Sequence, residues 1–165
     1  MWLTFSSIIF VINVWAIINI LRAIPSWILS RTIWEMIGII SYPLTFALIE
    51  SLLFLAGLIL LAVILPKQIL RCNFVALGSF TALLGTLGVI LAHFYGEDLG
   101  IWTLRDFGKY LIVLIGIVIV GWVPVYYFNR LKKTIELIAN RLTPLSTVYL
   151  ALDIIAVMVI VIRNF

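Results

Sequence analysis

The sequence predicts an all-α integral membrane protein, a bundle of five transmembrane helices with an interfacial amphipathic helix between helices 4 and 5 and a short interfacial segment before helix 2. Three observations predict it. The 165 residues are 65% hydrophobic and only 11% charged, with a mean hydropathy of +1.27, whereas a soluble domain is about 45–50% apolar and about 25% charged. The apolar residues fall into runs near the ~20 residues that a helix needs to cross a bilayer. The charges and several tryptophans gather between those runs, where headgroups would meet them. Nothing divides the chain, so residues 1–165 read as a single membrane domain.

Helix 1 is expected over residues 2–21, closed by Arg22. No Lys or Arg precedes Arg22, so the segment lacks the basic start of a signal peptide and reads as a retained span. Residues 25–41, with Pro25, Trp27, Arg31 and Trp34, read as interfacial. The apolar run from Met36 to Leu65 is too long for one upright helix and too short for two. Proline favours a helix's first turn, so Pro43 is taken to start helix 2 over 43–65. Helix 3 follows over 73–95. Helix 4 covers 110–128, with a bend expected near Gly121 and Pro124. Residues 129–143 change character: Leu131, Ile135, Ile138 and Leu142 share one helical face, and charged residues cover the rest. That pattern predicts an amphipathic helix in the interface. Helix 5 spans 144–162, opened by Pro144.

Lys and Arg favour the cytoplasmic side. The densest basic block is Arg130, Lys132, Lys133 and Arg141. Placing it inside puts Lys67 and Arg71 inside, and Glu97, Asp98 and Asp106 outside. The N-terminus is then cytoplasmic and the C-terminus external, in a plasma or inner membrane. The net charge of +4 and pI of about 9.5 point to anionic lipid, not nucleic acid. The four basic residues of the 129–143 face are the expected anionic-lipid contact.

Catalytic signatures such as GxSxG, HExxH and GxxxxGK[ST] are absent. One His and one Cys, Cys72, exclude a His-rich or paired-cysteine metal site and an internal disulfide, so no metal or cofactor is expected. The chemistry left is that of polar groups inside spans, which lipid does not satisfy and which normally face other helices. Asp153 lies near the middle of helix 5 on a face with Ser146, Tyr149 and Ala156. Asn13 lies at a similar depth in helix 1 and is its expected partner. Glu50 in helix 2 is expected to meet His93 if helices 2 and 3 are antiparallel neighbours. Ser79, Thr86 and His93, each seven apart, form a polar seam on helix 3.

Helix 3 also carries small-residue ridges, Gly78 with Ala82, and Thr81, Gly85, Gly88 and Ala92. Small residues let backbones approach closely, so helix 3 is expected to be the central packing helix. Helix 4, almost without polar groups, is expected to face lipid or a partner. Three functions fit. One is a non-catalytic subunit packed into or stabilising a larger membrane complex, alongside other subunits or copies of itself. Another is a proton, cation or small-solute transporter or channel component using Glu50 and Asp153. The third is a membrane enzyme for lipid-linked substrates built around His93 with Glu97 or Asp98.

Overall fold

A computed structural model describes residues 1–65, 73–96 and 103–164. Lys67, Arg71, Cys72, Glu97, Asp98 and Trp102 lie outside the described residues. Five helices follow one another: α1 (Trp2–Ile28), α2 (Ile33–Ile64), α3 (Phe74–Tyr95), α4 (Leu104–Tyr127) and α5 (Asn129–Asn164). All five are long and apolar enough to cross a membrane.

Four boundaries differ from the sequence reading: the end of α1 and the starts of α2, α4 and α5. Helix α2 starts at Ile33, ten residues before Pro43, and runs through that proline. Its start is a capping box: Thr32 N–H donates to Glu35 Oε2 at 3.0 Å, and Glu35 N–H donates to the Thr32 hydroxyl at 3.4 Å. Thr-x-x-Glu ahead of an apolar run is the usual sequence sign of this motif. Proline removes one ladder hydrogen bond, but the well-capped start and the turns on either side keep the helix continuous. Likewise α5 passes through Pro144, so residues 129–143 are its first turns and not a separate helix. The 25–41 segment becomes the end of α1, a tight turn and the start of α2. Helix α4 begins at Leu104, where the Thr103 hydroxyl accepts from Asp106 N–H at 3.3 Å.

Cross-helix contacts set the directions. Ser6 meets Ser146 and Asn13 meets Asp153, so α1 and α5 are parallel. Asn164 Nδ2 donates to Tyr42 OH at 3.5 Å, so α5 is antiparallel to α2. Trp122 Nε1 donates to Thr81 Oγ1 at 2.9 Å and Tyr110 OH donates to the Gly88 carbonyl, so α4 runs antiparallel to α3. The helices therefore alternate in direction along the chain.

The most extensive contacts join α1, α2 and α5, with α3 against α1 and α5, and α4 outermost. The centre is thus shared, and α3 is not the central helix. Small and polar residues explain it: Thr4, Ser6, Ser7 and Asn13 of α1, Ala47 and Ser51 of α2, and Ser146, Asp153 and Ala156 of α5 are all buried. The α3 ridge does admit close neighbours. A Cβ on Gly78 would lie 2.5 Å from Thr4 Cγ2, and one on Gly88 2.5 Å from Leu114 Cδ1. Gly78, Ala82 and Gly88 are buried, while Gly85 and Ala92 are half-buried. Along α4, Ile112, Val113, Ile117 and Val120 are exposed, and among the described side chains of the helix only Val118 and Val125 are buried.

Candidate functional site

The buried polar groups form a ladder between α1 and α5. Its first rung is Ser146 Oγ, which donates to the Ser6 carbonyl at 2.6 Å. Its second is Asn13 Nδ2, which donates to Asp153 Oδ2 at 3.0 Å and also reaches the Ile9 carbonyl at 3.2 Å. Between them the Phe10 and Tyr149 rings are 5.9 Å apart. Both rungs have the same sequence offset, and they stand seven residues apart on each helix. Two helices in a slight left-handed crossing keep a seven-residue repeat on their shared seam. Equal spacing on two parallel helices therefore brings both pairs into register at once.

Asp153 and Asn13 are each 0% exposed. Asp153 Oδ1 and Asn13 Oδ1 have no hydrogen-bond partner. The pair thus has two acceptors without donors, in a setting where unmet polar groups cost about 1–3 kcal/mol each. A proton on the Asp153 carboxyl turns one acceptor into a donor, which suits the pair better than a bare carboxylate.

Glu50 is elsewhere. It is exposed near the middle of α2 and lines a cavity of about 1160 Å³. Helices α2 and α4 flank this groove. Thr81, Gly85, Thr86 and Val89 of α3 line it, with Ile12 and Trp15 of α1. Glu50 makes no hydrogen bond or ion pair with any described residue, and Asp153 does not line the groove.

The structure does not bring Glu50 and His93 together. Helices α2 and α3 approach each other through long side chains such as Phe54, whose ring lies 3.8 Å from a Cβ placed on Gly85. His93 instead stands against α1, edge-on to Trp15 at 5.4 Å and to Phe94 at 5.7 Å. Arg22 lies over the Phe94 ring at 4.5 Å. The seam on α3 is divided among three settings: Ser79 is buried with its hydroxyl unpartnered, Thr86 faces the groove, and His93 is exposed. Among the described residues no group of three or more His, Cys, Asp or Glu could hold a metal ion.

The basic face of α5 is partly engaged. Lys132 Nζ donates to Asn73 Oδ1 at 2.5 Å, pinning α5 to the start of α3, while Arg130, Lys133 and Arg141 remain exposed. Sequence reasoning missed Ser6, Thr4, Ser51 and Thr81 as cross-helix or buried polar positions. Ser6 was findable, because Ser6 and Asn13 repeat the seven-residue spacing of Ser146 and Asp153. Thr81, read only as a small ridge residue, receives the Trp122 indole N–H. Comparison with protein-family models, curated proteins and solved structures returns no match for the chain.

Proposed function

We propose that the chain is a five-span integral membrane subunit that packs into and stabilises a larger membrane complex and carries out no catalysis of its own. The supporting observation is the separation of its two mid-helix acids. Asp153 is sealed between α1 and α5 and held by Asn13, and Glu50 opens into a different groove. A proton or ion path needs its acids along one accessible route, and these two share none. The broad apolar exposure of α4 suits a partner's span or lipid.

In this reading the N-terminus is cytoplasmic and the C-terminus external, in a plasma or inner membrane. The ends of α2 and α5 reach past a ~30 Å hydrocarbon core, so residues 25–41 and 129–143 sit at headgroup level. Arg130, Lys133 and Arg141 are free there for anionic lipid, and Lys132 serves the α3 contact first.

Purification in mild detergent, followed by mass measurement of the intact particle, tests the proposal. A stoichiometric partner is expected. A chain that is purely monomeric, with nothing co-purifying from its native membrane, overturns it. The rival reading is a proton or cation carrier using Glu50 and Asp153. It predicts flux in liposomes that falls with Glu50→Gln or Asp153→Asn, and the subunit reading predicts none.

A further inference from the structure

We propose that the groove between α2 and α4 is the docking surface for a membrane-spanning helix of a different chain, one that carries a Lys or Arg at the depth of Glu50. The proposal rests on the subunit reading and names the partner's chemistry.

The groove has the dimensions of a helix seat. Along α4 its lining runs from Leu111 to Tyr127, about 24 Å at the helical rise, which is most of a hydrocarbon core. Its walls are two helices that α3 holds apart, and its lining is apolar except at a few points. The largest departure is Glu50, exposed and with no partner among the described residues. An acid in that place needs a donor or a counter-charge, because hydrocarbon supplies neither.

Depth and charge select among the occupants. Glu50 lies nine residues past residue 41, about 13 Å inside the headgroup level, too deep for a lipid headgroup amine. An acyl chain fits the groove but leaves the carboxyl unanswered. In a second copy of this chain the bases nearest that depth are already engaged: Lys109, two residues before groove-lining Leu111, pairs with Asp106 at 2.6 Å. Arg22 lies seven residues beyond groove-lining Trp15, about 10 Å along α1, and its guanidinium is already over Phe94. The bases of α5 near its start and at Arg163 lie still nearer the helix ends. A partner span with one mid-depth base meets both demands of the groove, apolar contact along its length and a charge for Glu50.

The test uses the full chain in phosphatidylcholine vesicles with two single-span Leu/Ala peptides of about 20 residues, one with a central Lys and one with Leu in its place. Energy transfer between a dye on the chain's C-terminus and a dye on the peptide reads association. The Lys peptide should bind about tenfold more tightly, the factor that an interhelical polar contact supplies in lipid. Glu50→Leu should erase that preference, and Asp153→Asn should keep it. Helix content by circular dichroism checks that both variants fold. Equal binding of the two peptides, or a Lys preference that survives Glu50→Leu, overturns the proposal. So does self-association that depends on Glu50, which would assign the groove to a second copy. Failure here while a native complex is still recovered removes the groove assignment and leaves the subunit reading standing.

Discussion

Asp153 and Asn13 answer each other in only one direction. The amide donates to Asp153 Oδ2, and the two Oδ1 atoms are left as acceptors without donors. Asparagine at 153 could accept through its oxygen and donate through its nitrogen, so it matches Asn13 in both directions. Asp153→Asn is therefore expected to be neutral or mildly stabilising in detergent unfolding. Asn13→Leu, which leaves a buried acid with no donor, should destabilise by about 1–3 kcal/mol. The double change Asn13→Leu with Asp153→Leu should cost less than the sum of the single changes, because no polar group is then stranded. A loss on Asp153→Asn as large as that of Asn13→Leu would contradict the pairing.

At the level of helices, close approach depends on which glycine faces which neighbour. Gly78 stands against Thr4, a buried and stiff β-branched side chain, so Gly78→Ala must push α1 and α3 apart. Overpacking of this kind costs about 1–3 kcal/mol. Gly116 has nothing within 4 Å of a built Cβ. Gly116→Ala is expected to be neutral or to stabilise α4 by up to about 1 kcal/mol through helix propensity. Comparing the thermal midpoints of the two variants checks this contrast, and equal effects would mean that α1 and α3 do not approach through Gly78. Prolines teach a related lesson about elements. Pro43 and Pro144 sit inside helices although each is a plausible start. The better start signal was the Thr32–Glu35 box, where side chains satisfy backbone groups that the first turn leaves open.

For the molecule as a whole, five helices of alternating direction put the two termini on opposite faces. On the proposed orientation, a membrane-impermeant thiol reagent applied to intact cells should label a cysteine added after Phe165 and spare one added before Met1. Labelling of both from one side would refute the five-span threading, and labelling of the N-terminal site alone would invert it. The sequence by itself determined the helical class, the number of apolar helices and the rough position of each, because hydropathy and length are local properties of the chain. It also contained the Asn13–Asp153 pairing, since polar residues at matching depth and matching seven-residue spacing are visible before any fold is known. What only the tertiary structure decided was which helices are neighbours. That choice put α2 against α5 and α3 against α1, set His93 against Trp15 and left Glu50 facing a groove. Adjacency follows from how small and large residues on all five helices fit together, and no single segment contains that information.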